Sequence, residues 1–236
     1  MEANKVDHIV TVIQAAVEDV ELPDQDDIQC VDIIVSEWMG YFLLRESMLD
    51  SIVRGRDKFL KPNGLMFPSH CTMYLAPVYD EDERRNAHND YASAMSDWQD
   101  FENTTNQVYG VDMLVLQNDY DREQKDYYML SSRWTELPPE AVLAEPVSVK
   151  HLNLSTCTLQ DARGVENAKF DFEIIGNETH GPISGLAGWF TADFRSRTDT
   201  SDADTIAFPA YLSTGPENGY THWGQQTFYF MNSIPV

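Results

Sequence analysis

Basic residues are scarce in this chain. Its 236 residues include 16 lysines and arginines against 39 aspartates and glutamates, a formal net charge of −23. Phosphate backbones need a basic face, so nucleic acid is excluded as a partner. A basic partner suits the charge better, because long-range attraction steers cationic peptides to an acidic surface, although solubility alone accounts for it equally well. Cysteine is also scarce: Cys30, Cys71 and Cys157 are unclustered and lack CxxC spacing, so neither a disulfide framework nor a metal site is indicated. No apolar run approaches the roughly 20 residues of a membrane span, so no membrane association is expected. The N-terminal MEANKVDHIV lacks the basic and apolar regions of a signal peptide, which makes a cytoplasmic or nuclear location the expectation. Glycine is missing before Gly40, and with it the glycine-rich strand-to-helix turn that cradles a nucleotide.

Hydrophobic residues, at 42%, suffice for a core. Residues 31–35 (VDIIV) read as a buried strand and residues 46–60 as an amphipathic helix. Leu49, Ile52, Val53, Arg56 and Leu60 fall on one side of that helix, with Arg54, Asp57, Lys58 and Lys61 toward solvent. The β-branched run at 8–14 (HIVTVIQ) reads as a further strand, 23–29 as a polar loop, 62–64 (PNG) as a turn and 65–67 as a short strand. Strand, strand, helix, strand is the second half of a doubly wound α/β domain. With too few residues before it for the first half, the chain is expected to begin inside that domain.

From Pro68 onward short alternating segments indicate an all-β domain, giving expected boundaries of 1–68 and 69–236. Its candidate strands are 143–154, 169–175, 185–194 and 227–231, with turns at RGVEN, NETHGP and RTDTSDAD. Residues 79–106 interrupt them with a helical pattern that places Tyr91, Met95, Trp98 and Phe101 at spacings of three and four. Such a helix either packs on its own barrel or reaches a partner. The barrel lacks the strands to close, and one open edge is expected.

Two carboxylates, Glu37 and Glu46, flank a short apolar and aromatic segment between the strand and the helix. Burying either beside Trp38, Met39, Tyr41 and Phe42 without a counter-charge costs several kcal/mol. A guanidinium is the best complement, since its planar fork takes a bidentate pair from one carboxylate and further hydrogen bonds from another. The plainer alternative makes Glu46 a helix N-terminal charge and Glu37 a surface residue.

Residues 36–49, SEWMGYFLLRESML, resemble the double-glutamate loop of the protein arginine methyltransferases, and THW at 221–223 resembles that family's second hallmark. Similarity also runs through ANKVDHIVTVI, VEDVELP, GLMFP, VYGVDM, AEPV and YLSTGP. Within the family, FLL before Arg45 and LDS after Met48 resemble the zinc-finger-bearing type I branch, without a zinc finger. The resemblance implies the C-terminal half of a Rossmann-like methyltransferase domain followed by an incomplete β-barrel with a helical dimerisation arm. It implies S-adenosylmethionine as methyl donor, no metal, asymmetric dimethylation of arginine, arginine- and glycine-rich protein substrates and a homodimer.

Carried over residue by residue, the resemblance makes Glu37 and Glu46 the catalytic holders of the substrate guanidinium. His222 becomes a proton-relay or positioning residue, with Tyr41 and Trp223 lining the substrate slot. Val17 and Glu18 would meet the donor's adenine, Met48 its sulfur, and Ser51 would sit on a donor-binding helix. Taken alone, a lone histidine such as His222 is more often structural than catalytic, and Met48 is as readily a core methionine. Arg45 departs from the family, which carries an aromatic residue there; its side chain either turns inward to Glu37 or Glu46, or outward to water, the cheaper course. A non-catalytic arginine-docking or dimerisation module keeps the same acidic loop and arm. A two-carboxylate glycosidase fits the glutamate pair but leaves THW unexplained.

Overall fold

The computed structural model describes residues 1–22, 30–174, 181–195 and 210–236. Val31–Val35 (β1), Leu49–Phe59 (α1) and Leu60–Phe67 (β2) form a strand, helix, strand unit. β1 and β2 run parallel, with Ile33 opposite Leu65 and Val35 opposite Phe67. Parallel neighbours need a crossover, and α1 supplies it. The helix buries Leu49, Val53, Gly55 and Phe59 and exposes Arg54, Asp57 and Lys58, as its periodicity predicts. It begins at Leu49 rather than Glu46, because Ser47 has a left-handed backbone (φ 57°) that a helix cannot include. The turn expected at 62–64 is an irregularity within β2, where the register with β1 slips between Val31 and Ile33.

Residues 8–14 form no strand. Ile9 and Val12 are 72% and 71% exposed, and the sheet of β1 and β2 has no third strand among the described residues. β-Branched composition alone does not make a strand, which needs a neighbour for its backbone donors and acceptors.

The second sheet comprises His70–Val78 (β3), Arg133–Thr135 (β4), Val147–Asn153 (β5), Ile183–Phe194 (β6), Ala210–Ser213 (β7) and Gln225–Ile234 (β8). Its pairings are antiparallel in the order β4, β8, β6, β3, β5, with β7 also on β6, so it is an open, incomplete barrel. The strand expected at 143–154 is confined to β5, and that expected at 169–175 is reduced, in its described part, to one bridge between Ala144 and Ile174. The loop expected at 23–29 and the turn at 197–204 lie outside the described residues, as does most of the turn at 177–182.

One core joins the two sheets. Trp38, Leu43 and Leu49 from the first unit, each 1% exposed, pack in the same cluster as Cys71, Met73, Leu152 and the fully buried Phe190 of the second. Burial, with smaller contributions from Asp193 and Cys157, pushes the Cys71 thiol up to about 12, so it is a packing residue and not a nucleophile. No helix of the described residues is long and apolar enough to cross a membrane.

Between β3 and β4 the chain projects as a helical arm. Glu81–Tyr109 (α2) starts at Asp80, whose side chain accepts from the Glu83 N–H at 3.4 Å, and ends at Gly110 in the left-handed region (φ 67°). Gln117–Lys125 (α3) folds back on it and continues into a single π-helical stretch, Asp126–Leu130. Trp98 stacks on Tyr120 with centroids 4.5 Å apart, and Asp121 joins the Tyr91 hydroxyl to the Lys125 ammonium. The return helix was not legible, since QNDYDREQK offers almost no apolar positions to repeat.

The arm is rooted by a buried hydroxyl. Ser184 Oγ accepts the Asp80 N–H and donates to Glu81 Oε1, both at 2.9 Å, while Arg84 ion-pairs with Glu81 at 2.9 Å. Arg84 first and Ser184 next hold the Glu81 carboxyl below its ordinary range. The stability this confers is present above the unfolded carboxylate pKa and is lost as pH falls through the lowered one. Ser184→Ala takes the acceptor from the Asp80 N–H and leaves Glu81 Oε1 with Arg84 as its remaining donor, and is expected to cost about 1–3 kcal/mol. Calorimetry should show a melting point lower by roughly 2–10 °C; an unchanged value would remove Ser184 from the root.

Candidate active site

The site is built from the segment joining β1 to α1. The Ser36 N–H donates to the Phe67 carbonyl at 2.9 Å, which carries the chain past the end of β1 to Glu37. Trp38 and Met39 then sink into the core at 1% and 6% exposure, fixing the backbone on which Glu37 stands exposed. Phe42 and Leu43 adopt left-handed backbones (φ 45° and 66°), and the chain reverses, with the Gly40 N–H donating to the Leu43 carbonyl at 3.0 Å. Such conformations cost of order 1–3 kcal/mol each and persist only when the surroundings hold them. Here Leu43 is buried, and the Phe42 ring lies where a Cβ on Gly188 of β6 would be, 2.5 Å from its nearest atom.

The reversal brings Glu46 back against Gly40. A Cβ on Gly40 would lie 2.8 Å from Glu46 Cγ and 2.9 Å from its backbone nitrogen. Glu37 and Glu46 are thus two exposed carboxylates on one folded loop, with Tyr41 exposed at its turn.

The 221–223 segment is anchored to this loop from the other end of the chain. The Trp223 indole N–H donates to the Met39 carbonyl at 2.7 Å, and its ring meets Phe190 edge-on with centroids 5.7 Å apart. His222 is exposed, its ring centroid 3.8 Å from that of Trp223, with no hydrogen-bond partner among the described residues. Gly224 closes the turn at φ 51°, where any Cβ would strike the Trp134 indole at 2.5 Å. The structure therefore brings together the two remote segments that carry Glu37, Tyr41 and Glu46 on one side and His222 and Trp223 on the other.

Gln226 and Ser132, which carry no sequence signal, complete the surroundings. Arg45 Nη1 donates to Gln226 Oε1 at 3.0 Å, and the same oxygen accepts from Ser132 at 3.1 Å. Arg45 is exposed and pairs with neither glutamate, so its side chain takes the outward course, with one nitrogen held by an amide. It lines a cavity of about 540 Å³ together with Tyr41, Phe42, Gln226 and Phe228.

Residues 69–236 match the family model of the arginine methyltransferase oligomerization subdomain. The chain belongs to the protein arginine methyltransferase family. It is 40% identical over its whole length to protein arginine N-methyltransferase PRMT10 of Arabidopsis thaliana, and 43% identical over 99% of its length to PRMT10 of Oryza sativa subsp. japonica. The chain spans 58% of the length of each of these relatives. The crystal structure of Arabidopsis thaliana protein arginine methyltransferase 10, described as uniquely open, superposes on all of this chain and 64% of its own, with a TM-score of 0.89 and 40% identity. The Trypanosoma brucei PRMT1 enzyme-prozyme heterotetrameric complex with AdoHcy shares the fold at a TM-score of 0.70 and 23% identity, covering all of this chain and 62% of its own.

In this methyltransferase-family chain the residues that the resemblance connects with the methyl donor lie at the start of α1 and on a turn packed along it. Val17–Asp19 form a short 3-10 turn against the helix, where Val17 Cγ2 would lie 3.0 Å from a Cβ on Gly55. Ser51 Oγ donates to Glu18 Oε1 at 2.5 Å, and Lys58 clamps the Glu18 and Val20 carbonyls at 2.9 and 2.7 Å. The Ser51 hydrogen bond, more than any other influence, lowers the Glu18 pKa and keeps it ionised as an acceptor. Met48, 46% exposed, precedes the helix with its thioether available. Ser51 and Glu18 are hydrogen-bonded, Val17 packs beside Gly55, and Met48 lies between Glu46 and Ser51 in the chain.

Proposed function

We propose that this chain carries the arginine-binding and methyl-transfer site of a type I protein arginine methyltransferase that uses S-adenosylmethionine and forms asymmetric dimethylarginine. The observation that carries the reading is the Trp223 N–H bond to the Met39 carbonyl, which holds the 221–223 segment on the double-glutamate loop across 184 residues of sequence. The division at residues 68 and 69, a homodimer through the arm, arginine- and glycine-rich substrates and a cytoplasmic or nuclear location belong to the same reading. The arm's exposed Val108, Tyr109, Val111, Leu114, Val115 and Leu116 suit a buried partner contact.

In this reading Glu37 and Glu46 share the substrate guanidinium, one in a bidentate pair, and localise its charge on the nitrogens that do not react. Arginine is too weak an acid to deprotonate first, so its proton leaves during or after transfer. Orientation is the main contribution, and aligned reactants can gain on the order of 7–11 kcal/mol. Tyr41 and Trp223 wall the slot, and the exposed His222 ring is free to position the substrate or take the departing proton. Val17, Glu18, Met48 and Ser51 suit the adenosyl and sulfur end of S-adenosylmethionine: an ionised acceptor for the exocyclic amine, an apolar contact and an exposed thioether lie on or beside one helix. When bound, the donor supplies an electrophilic methyl group on a sulfonium.

Ser51→Ala frees Glu18 from its orienting bond, and S-adenosylhomocysteine affinity should fall about three- to tenfold by isothermal titration; unaltered affinity would exclude the pair from the donor site. The whole reading is tested by that titration together with methylation of a glycine- and arginine-rich peptide. Donor binding with transfer supports it. Peptide binding without donor binding gives the docking module, and binding of neither defeats both.

A further inference from the structure

Seven of the nine described arginines are ion-paired: Arg56, Arg84, Arg85, Arg122, Arg133, Arg163 and Arg195 each meet a carboxylate within 3.1 Å. Arg54 and Arg45 are not, and of these Arg45 lines the cavity next to the double-glutamate loop. Its restraint is the Gln226 amide, 1% exposed and itself fixed by Ser132, which engages one terminal nitrogen and leaves the other donors of the fork without a partner among the described residues.

We propose that Arg45 is a specificity-determining residue that reads the amino acid flanking the target arginine and favours one carrying a carboxylate. The inference rests on the reading of Glu37 and Glu46 as the arginine slot. Arg45 immediately precedes Glu46, so a peptide that places its guanidinium on the glutamates passes the cavity with an adjacent side chain. A second arginine there meets like charge. An aspartate or glutamate meets a planar fork already oriented by a buried acceptor, and such pre-organisation lessens the entropy lost on pairing. The substrates best suited to this site are therefore arginines in mixed-charge, glycine-containing segments rather than uninterrupted arginine-rich ones.

The test is fluorescence anisotropy with S-adenosylhomocysteine present, using labelled glycine-rich peptides that contain one arginine and, two residues away on either side, aspartate, asparagine or lysine. The protein should prefer the aspartate over the asparagine peptide by about fivefold at low salt, and the preference should shrink as salt rises. Arg45→Gln should bring the ratio to about one, and Arg45→Glu should invert it toward the lysine peptide, which a misfolded variant cannot do. A Glu37→Gln control separates the two layers. If it weakens all three peptides, the slot is established, and an absent aspartate preference, or one that survives Arg45→Gln, overturns the role of Arg45 alone. If no peptide binds, or Glu37→Gln leaves all three unaffected, the slot itself is refuted and the proposal with it.

Discussion

Exchanging Glu37 for Gln is expected to lower kcat by more than about 100-fold while S-adenosylhomocysteine affinity stays within about twofold. The substitution preserves size and one acceptor oxygen but sets an amide donor against a guanidinium that has only donors, and it removes half of the charge that neutralises the bound cation. Its backbone is fixed on both sides, by the Ser36 bond to Phe67 and by buried Trp38, so the loop should keep its shape. Val17, Glu18 and Ser51 lie on and against α1 and do not depend on the Glu37 side chain. Steady-state methylation and donor titration on the same preparation decide the matter. Full activity would remove Glu37 from the mechanism, and a parallel loss of donor binding would mean that the whole loop had moved.

Much of this arrangement was legible in the sequence where local pattern and tertiary surroundings agree. α1 was readable because its apolar positions recur with the helical period and meet a core on one side only. The long strands β6 and β8 were found, but too short, since their ends are set by pairing partners rather than by composition. The expected strand at 8–14 was misread for the complementary reason: its β-branched residues satisfy propensity, and nothing among the described residues pairs with them.

The site divides in the same way. Glu37, Glu46, His222 and Trp223 were selected by motif, and the fold brings their segments together through one indole hydrogen bond that no local pattern encodes. Placing Glu46 in the first helical turn failed because left-handed backbone at Phe42, Leu43 and Ser47 carries no signature when the residues are not glycine or asparagine. Those conformations are held by Leu43 burial and by Phe42 on Gly188, contacts between remote elements. Arg45 shows the limit most clearly. Inward pairing and free exposure were the two alternatives, and the acceptor it found, Gln226, is 181 residues away.

Gly40→Ala should reduce kcat/KM by about 100-fold, although position 40 contributes no functional group, because a shift of roughly 1 Å in a positioning group costs that much. The added Cβ would stand 2.8 Å from Glu46 Cγ, 2.9 Å from its backbone nitrogen and 3.0 Å from its Cβ. A flexible side-chain carbon could rotate away, but the backbone nitrogen cannot, so the segment bearing Glu46 must retreat from the stretch at the start of the loop that bears Glu37. The loop's anchors at Trp38, Leu43 and Trp223 remain, which confines the destabilisation to the range of about 1–3 kcal/mol typical of overpacking. A second substitution distinguishes displacement of Glu46 from general loosening. If Gly40→Ala acts through Glu46, adding it to Glu46→Gln should cost less than about threefold more, because the group it displaces has already lost its charge. Full additivity of the two losses would place the effect of Gly40 elsewhere in the loop, and a Gly40→Ala enzyme with near-normal kcat/KM would show that the close approach of Glu46 to Gly40 is not needed for transfer.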